Sequence, residues 1–330
     1  MLTTVGSEIA VKLLHGMKRI RAAEEGIAER YPAGNMRCPT HLSIGQEAAA
    51  AGVGLALEHR DLAVSTHRGH AHYLAKGGDL KAMLAEIYGK AAGCSKGRGG
   101  SMHLVDRKVG FMGSTAIVAN SIPIGVGLAL SLQLRRKPGV SVVFLGDGAI
   151  EEGAFYESAN FAVVRNLPVF FVCENNFYSV YSHLRVRQPD GRKIHELVSA
   201  IGMPAVHADG NDPLAVHHEA QRAVASIRER GGPYFLELTT YRWREHCGPN
   251  YDNTLGYRTE EEFLMWKDRD PIPRFEEKLL AARHLTRDDV KRMDAEIAAE
   301  IEDAFAFAER APFPSPTDAF AGVFAGQGAR

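Results

Sequence analysis

The sequence predicts an α/β fold in which helices cover both faces of a doubly wound, mostly parallel sheet. Apolar runs rich in β-branched and aromatic residues are typical of buried strands, and they occur at residues 62–66, 140–146, 168–174, 205–210 and 234–241. Stretches with helical periodicity separate most of these runs. Strands that alternate with helices favour a parallel sheet covered on both faces.

The helices are predicted from apolar residues that recur at spacings of three and four, with charged residues between them. These stretches span residues 7–30, 79–89, 212–230 and 288–310. We expect a single domain over residues 1–330, with a helical part at about 7–60 and a helical tail at about 260–330 packed on it. The Pro- and Gly-rich end of that tail is expected to be an extended arm or to fray.

The composition bounds the classes of function. Lys and Arg number 39 against 40 Asp and Glu, a balance that gives no electrostatic case for a nucleic acid or an anionic membrane as partner. The longest apolar stretch, at 116–132, is interrupted by polar residues and proline and is too short to span a membrane. The cysteines have no CxxC pair, which favours free thiols over disulfides or zinc. We therefore expect a cytoplasmic protein.

Polar residues follow two successive predicted strands. Gly146-Asp147-Gly148 ends the 140–146 strand, and Glu174-Asn175-Asn176 ends the 168–174 strand. In open α/β sheets, ligands bind beyond the carboxyl ends of the strands. A carboxylate from Asp147 and an amide oxygen from Asn176 suit Mg²⁺ and leave positions for phosphate oxygens. The paired arrangement favours a metal–diphosphate site over two unrelated turns.

GDG and NN, separated by 26 residues, resemble the thiamine-diphosphate motif. Further stretches occur in the order found in alpha subunits of thiamine-diphosphate-dependent 2-oxo-acid dehydrogenases, which include the pyruvate, branched-chain 2-oxo-acid and acetoin-cleaving enzymes. They are HLSIGQEAAAAG (41–52), STHRGHAHYLAKG (65–77), GCSKGRGGSMHL (93–104), GSTAIVANSIPIGVGLAL (113–130), LELTTYRWREH (236–246) and GYRTEEEF (256–263). The resemblance runs from about residue 8 to about residue 312 and implies the thiamine-diphosphate-binding fold.

The resemblance implies roles for particular residues. It implies that Mg²⁺ is held by the side chains of Asp147 and Asn176 and by the backbone carbonyl of Tyr178. The backbone of Gly148 and Ala149 approaches the diphosphate in such enzymes, since a glycine permits close approach.

Two further stretches carry implied cofactor contacts. Arg68 resembles the arginine that pairs with the diphosphate, a role that suits its planar donor fork. His67 stands where relatives commonly have tyrosine. Ala116 and Val118 resemble positions whose backbone contacts the aminopyrimidine, and Ile117 is expected to pack nearby.

Three histidines are candidates for catalysis. His70 and His103 fall in matching loops, where a histidine above a cofactor can exchange protons near neutral pH, although structural hydrogen bonding is an equal alternative. Many relatives carry two histidines as YRxHGH; this sequence has Arg244 at the first place and His246 at the second. His246 is thus the candidate for substrate or cofactor contact.

The function implied by the resemblance is that of an alpha subunit of an oxidoreductase that decarboxylates a 2-oxo acid and transfers the acyl group to a lipoyl or similar acceptor. The implied partners are a beta subunit in an α2β2 assembly, which supplies the glutamate that activates the aminopyrimidine, and a lipoyl-bearing acyltransferase. Two alternatives remain. The REHCGPNYDN loop departs from the pyruvate type and suggests an acetoin-cleaving or other acyl-transferring enzyme. The second alternative is an inactive, cofactor-binding regulatory subunit. The presence of both Asp147 and Asn176 argues against it.

Overall fold

The computed structural model describes residues 6–321, so the last nine residues of the predicted arm, 322–330, lie outside the described part. Its strands, in chain order, are β1 (Leu62–Ser65), β2 (Phe111–Ser114), β3 (Ser141–Gly146), β4 (Val169–Asn175), β5 (Tyr178–Ser179), β6 (Ser182–His183), β7 (Ala205–Asp209) and β8 (Tyr234–Thr239). Six of them form one parallel sheet in the order β2-β1-β3-β4-β8-β7, and β5 and β6 form a separate antiparallel hairpin.

Helices connect the strands and cover the sheet. They are α1 (Ser7–Arg30), α2 (Glu47–Ala56), α3 (His70–Ala75), α4 (Leu80–Ile87), α5 (Ser121–Leu134), α6 (Gly153–Val164), α7 (Leu184–Arg187), α8 (Ile194–Ser199), α9 (Pro213–Arg230), α10 (Glu260–Asp268), α11 (Pro271–Ala281) and α12 (Arg287–Arg310). Short 3₁₀ turns occupy Tyr31–Ala33, Gly100–Met102, Asp147–Glu151 and Pro316–Ala319. Within residues 6–321, no helix combines the length and the apolar character needed to cross a bilayer.

The predicted parallel α/β fold is confirmed, and every predicted strand is present to within two residues at its ends. One sheet strand was missed. β2 has only four residues, Phe-Met-Gly-Ser, and a glycine in so short a run weakens the strand pattern. The division of the chain into one domain with helical ends stays a prediction, although α1 and α12 contribute to the same core as the sheet.

The sheet separates two hydrophobic clusters because successive side chains of a strand face opposite sides. On β3, Val142 and Phe144 pack into the larger cluster with α1, α2, α4, α9 and α12. Their neighbours Val143 and Leu145 pack into the smaller cluster with α5, α6 and α8. Both faces of the central strands are therefore buried, so a ligand can reach the sheet only at the ends of its strands.

The strand order reverses between β1 and β3. From β1 the chain crosses to β2 on one side and then returns past β1 to β3 on the other. Such a switch point leaves a crevice at the carboxyl ends of the two central strands, where ligands of open α/β sheets bind. The loop after β1 begins at Thr66 and the loop after β3 at Asp147, so both meet at this crevice.

Candidate active site

A cavity of about 190 Å³ lies at the switch point. The loops that follow β1, β2, β3, β4 and β8 all contribute to its wall, together with His41 and Gln46 from the segment before α2. Of the residues predicted from sequence, the cavity brings together His67, Arg68, Ala116, Val118, Asp147, Gly148, Ala149, Asn176, Tyr178 and His246. Five of the six sheet strands lead into this cavity, so residues far apart in sequence share one site.

Asp147 begins the 3₁₀ turn after β3 and is almost fully buried. Its carboxylate forms an ion pair with the Arg187 guanidinium, which also binds Glu151. Burial raises the pKa of Asp147 above its ordinary value, while the charge and hydrogen bond of Arg187 act to lower it. A neighbouring cation stabilises the charged form of a buried carboxylate, and in this structure that cation is Arg187.

Asn176 is held in one orientation by two neighbours. Its Nδ2 donates to Gln46 Oε1 at 3.0 Å, and its Oδ1 accepts from the backbone N–H of Tyr178 at 3.2 Å. Both hydrogen bonds fix which end of the amide is the oxygen, and an oxygen is the atom that a hard cation needs.

A chain of buried hydrogen bonds extends from Gln46 into the sheet. Gln46 Nε2 donates to Glu174 Oε2 at 3.3 Å, and Glu174 Oε1 lies 3.0 Å from His72 Nε2. His72 Nδ1 lies 2.8 Å from Ser65 Oγ at the end of β1. Since every member is paired, the chain stiffens the ends of β1 and β4 behind Asn176.

Arg68 is a buried cation that no carboxylate neutralises within residues 6–321. Its guanidinium donates to the backbone carbonyls of Leu42 and His246. Burial, followed by the positive charge of Arg242, lowers the pKa of Arg68 to about 10. A guanidinium buried without an acidic partner is destabilised until an anion pairs with it. The cavity is thus suited to a phosphate group.

The glycine after Asp147 lines the cavity with backbone alone. A Cβ added to Gly148 would lie 2.8 Å from Ser179 Oγ, so a larger residue there would require the Ser179 side chain to shift. The donor set of the cavity consists of two oxygen-bearing side chains, a tight glycine turn and an unpaired guanidinium, and this set fits a diphosphate bound through a hard divalent cation.

Three histidines meet at one wall of the cavity. The ring centroids of His41 and His67 are 4.6 Å apart, and the His246 ring lies 5.0 Å and 5.3 Å from them, respectively. Burial and the charge of Arg68 lower the pKa of His41 to about 2, of His67 to about 4 and of His246 to about 3. All three imidazoles are therefore neutral at neutral pH, with a free nitrogen lone pair.

Two histidines predicted as catalytic do not line this cavity. His70 is completely buried, with one ring nitrogen 3.2 Å from Glu24 and the other 2.8 Å from Ser101 Oγ. His103 is exposed, and its neighbour Met102 faces the cavity instead. Helix α3 turns His70 into the core, where hydrogen bonds hold it, in line with the structural alternative. A catalytic role for His70 or His103 stays a prediction.

Arg244, which stands where many relatives have the first histidine of the loop, has a structural role. Arg244 forms an ion pair with Glu25 of α1 and donates to the carbonyl of Pro249 at 2.9 Å, so it does not face the cavity. His41 and His67 are the rings that accompany His246 there.

The remaining wall contains strained backbone. Ala119 and Val180 both line the cavity with positive φ angles, 62° and 54°. A β-branched residue rarely adopts such a φ, and strain of this kind concentrates at functional sites. Arg242 donates to the Val180 carbonyl at 2.8 Å and holds the turn in place. Ile117, expected to pack nearby, is instead 66% exposed.

Sequence reasoning missed four residues that shape the site: His41, Gln46, Glu174 and Arg187. His41 and Gln46 lie within the HLSIGQEAAAAG stretch, and Glu174 lies within the strand-end motif. The motifs therefore indicated the segments but not which of their side chains line the site. Arg187 comes from α7, beyond the hairpin, and no sequence spacing links it to Asp147.

The fold and site define an α/β protein with a ligand cavity at the switch point of its parallel sheet. The family model described as "Dehydrogenase E1 component" matches residues 15–317. The chain therefore belongs to the dehydrogenase E1 component family.

Individual relatives match over nearly the whole chain. The chain is 36% identical to the alpha subunit of acetoin:2,6-dichlorophenolindophenol oxidoreductase of Bacillus subtilis (strain 168), over 96% of this chain and 94% of that protein. It is 33% identical to the pyruvate dehydrogenase E1 component subunit alpha of Rickettsia felis, over 95% of each chain. The corresponding Zymomonas mobilis subunit is 36% identical over 94% of this chain and 87% of that protein.

Proposed function

We propose that the chain is the thiamine-diphosphate-binding alpha subunit of a 2-oxo-acid dehydrogenase, an oxidoreductase that decarboxylates a 2-oxo acid and transfers the acyl group to a lipoyl or similar acceptor. The observation that carries this proposal is the buried Arg68 guanidinium, which forms no ion pair with a carboxylate of the described residues and lines the same cavity as Asp147 and Asn176. Family membership and relatives named as acetoin and pyruvate dehydrogenase subunits support the class of reaction.

In this proposal, Asp147 and Asn176 bind Mg²⁺ through side-chain oxygens, and the Tyr178 carbonyl adds a third ligand. Arg68 pairs with the diphosphate, and the turn at Gly148 and Ala149 lets it approach the backbone. When bound, the thiamine group supplies the carbon nucleophile and the electron sink for C–C cleavage. The protein supplies position, the charge that balances the diphosphate, and a wall of neutral imidazoles.

His67 and His246 are proposed to contact cofactor or substrate. Both rings line the cavity, and both are neutral because burial and Arg68 oppose their protonation. A neutral imidazole can accept a proton or a hydrogen bond but does not carry a charge that would repel Arg68. The backbone at Ala116 and Val118 is proposed to contact the aminopyrimidine.

A second subunit is proposed to complete the site. Ligand pockets for molecules of this size are typically about 300–1,000 Å³, whereas this chain encloses about 190 Å³. The relatives are named as alpha subunits, which implies a beta subunit. We propose an α2β2 assembly in which the beta subunit supplies the glutamate that activates the aminopyrimidine.

The face formed by α5 and α6 is the proposed place for the beta subunit. Ile124 and Leu134 on α5, and Phe161 and Val164 on α6, are large apolar residues exposed to solvent, Val164 by 71%. The two helices follow β2 and β3, whose carboxyl ends form the cavity. An apolar surface of this kind favours a protein partner, and one bound here would lie beside the site.

A second candidate function is the cleavage of acetoin. Arg244 is bonded to Glu25 and Pro249, so the 240–252 loop differs in its contacts from a loop that brings two histidines to the site. The Bacillus subtilis relative is named for acetoin. We also propose a cytoplasmic location, which the four free cysteines support.

The proposal is tested by following substrate-dependent reduction of an artificial electron acceptor, with pyruvate, branched-chain 2-oxo acids and acetoin offered in turn. The chain alone, supplied with Mg²⁺ and thiamine diphosphate, should be inactive, and its co-purified beta subunit should restore turnover. Full activity of the isolated chain would contradict the two-subunit site. No turnover with any substrate in a folded, cofactor-loaded complex would favour a regulatory subunit.

A further inference from the structure

Asn175, the first asparagine of the strand-end motif, binds a carboxylate of the neighbouring strand rather than lining the cavity. Its Nδ2 donates to Glu237 Oε1 on β8 at 2.8 Å, and its Oδ1 accepts from the backbone N–H of Phe177 at 3.2 Å. Asn175 and Glu237 are both buried. The Asn175 side chain therefore links β8 to the turn that follows β4.

The turn after β4 contains a residue in an uncommon backbone conformation. Phe177 has a φ of 69°, which a bulky side chain rarely adopts. Backbone of this kind persists only where its surroundings fix it. Phe177 stands between Asn176 and Tyr178, so the hydrogen bond from its N–H to Asn175 fixes the residue that separates two proposed metal ligands.

Glu237 is itself fixed by helix α8. Its Oε2 accepts from the backbone N–H of His195 at 3.0 Å and lies 2.7 Å from His195 Nδ1. Both carboxylate oxygens are thus hydrogen-bonded, which holds the buried group in a single orientation. The hydrogen bonds form a continuous path from α8 through Glu237 and Asn175 to the Phe177 backbone.

This path lies on the opposite face of the sheet from the one through Gln46 and Glu174. Glu174 and Asn175 are neighbours on β4, so their side chains point to opposite faces. Gln46 and Glu174 hold the Asn176 side chain from one face, whereas Glu237 holds the turn from the other. The turn is therefore held by a buried carboxylate on each side.

We propose that Glu237, acting through Asn175, is a positioning residue for the metal ligands. It sets the 175–178 turn so that the side-chain oxygen of Asn176 and the backbone carbonyl of Tyr178 face the same ion. This inference rests on the proposed function, in which those two oxygens bind Mg²⁺. Glu237 and Asn175 do not touch the ion; the first asparagine of the motif orients the turn, and the second binds the metal.

An exchange of the amide and the carboxylate between the two positions tests this proposal. Asn175→Asp places two carboxylates face to face. Glu237→Gln leaves one amide oxygen where two acceptors are needed, one for Asn175 and one for His195. In the double variant the new carboxylate accepts from the new amide, whose oxygen still accepts from His195, so every hydrogen bond is restored.

Calorimetric titration of each full chain with Mg²⁺, at a fixed concentration of thiamine diphosphate, measures the effect. Each single variant should bind Mg²⁺ about tenfold more weakly, because a buried polar group loses its partner, and the double variant should recover the wild-type affinity. Affinity for inorganic diphosphate without Mg²⁺ should be the same in all four proteins, since the exchange leaves Arg68 unchanged.

Asn250→Asp is the matched control. Asn250 Nδ2 also donates to a glutamate, Glu245 Oε1, at 2.8 Å, but this pair is exposed. The control should bind Mg²⁺ as the wild type does. A loss in Asn250→Asp equal to that in Asn175→Asp would overturn the proposal, because the effect would then follow from the added charge alone.

Backbone hydrogen exchange of the chain without cofactor provides a second readout. Exchange at Phe177 and Tyr178 should be faster in both single variants and return to the wild-type rate in the double variant. Where a single variant does not fold, the double variant decides, since it must fold and bind Mg²⁺ as the wild type does.

The outcomes separate this inference from the proposed function. Wild-type Mg²⁺ affinity in both single variants, or no recovery in the double variant, would overturn the role of Glu237 and leave the proposed function standing. A wild type that shows no Mg²⁺-dependent binding of thiamine diphosphate would overturn the proposed function and, with it, the role of Glu237.

Discussion

Gln46 Oε1 accepts a hydrogen bond from Asn176 Nδ2 at 3.0 Å, which joins the segment before α2 to the end of β4 across 130 positions of sequence. Gln46 also donates to Glu174, and all three side chains are buried. Asn176 is thus a ligand candidate whose orientation is set by a residue that does not itself bind the metal in the proposed site.

Replacement of Gln46 by Met should weaken cofactor binding without unfolding the chain. The change keeps the side-chain volume but leaves Asn176 Nδ2 and Glu174 Oε2 without the partner that Gln46 supplies, at a cost of about 1–3 kcal/mol for each unpaired group. Titration of the variant with Mg²⁺ and thiamine diphosphate measures the effect. Unchanged affinity in a folded variant would show that Gln46 does not orient Asn176.

Arg68→Lys should lower the affinity for thiamine diphosphate about tenfold, because a lysine ammonium cannot make the paired hydrogen bonds of a planar guanidinium. The same titration measures it, with inorganic diphosphate as a second ligand. Both ligands should be affected alike. Wild-type affinity for both would remove Arg68 from the proposed phosphate site.

Arg187→Gln should tighten Mg²⁺-dependent binding about threefold to tenfold, since it removes the cation that a metal must displace from Asp147. Arg185→Gln, an exposed arginine on the same short helix, is the matched control and should have no effect. Weaker binding in Arg187→Gln would instead show that the guanidinium contacts the bound cofactor.

Val180→Asn should stabilise the chain by about 1 kcal/mol, because asparagine adopts a positive φ more readily than a β-branched residue. Val186→Asn tests the same change of side chain at an exposed helical position, where the positive-φ advantage is absent. Thermal unfolding of both variants decides. Equal destabilisation by the two changes would show that the Val180 turn is not strained.

The α/β fold could be predicted because its strands and helices follow from the local pattern of apolar residues. Apolar runs located five sheet strands, and the ends of two of them marked Asp147 and Asn176. The contacts that orient those residues were not predictable, since Gln46 and Arg187 meet them only through the tertiary fold. The same holds for His41 and for the burial of His70, which depends on how α3 faces the core.

The most direct test of the central claim is a calorimetric titration of wild type and Asp147→Ala with thiamine diphosphate, with and without Mg²⁺. Asp147→Ala deletes a hard ligand from a loop rather than core volume, so the sheet should stay folded. Glu152→Ala, an exposed carboxylate in the same segment, is the control. We predict Mg²⁺-dependent binding in the wild type and in Glu152→Ala and its loss in Asp147→Ala. Equal Mg²⁺-dependent affinity in all three proteins would contradict the proposed site.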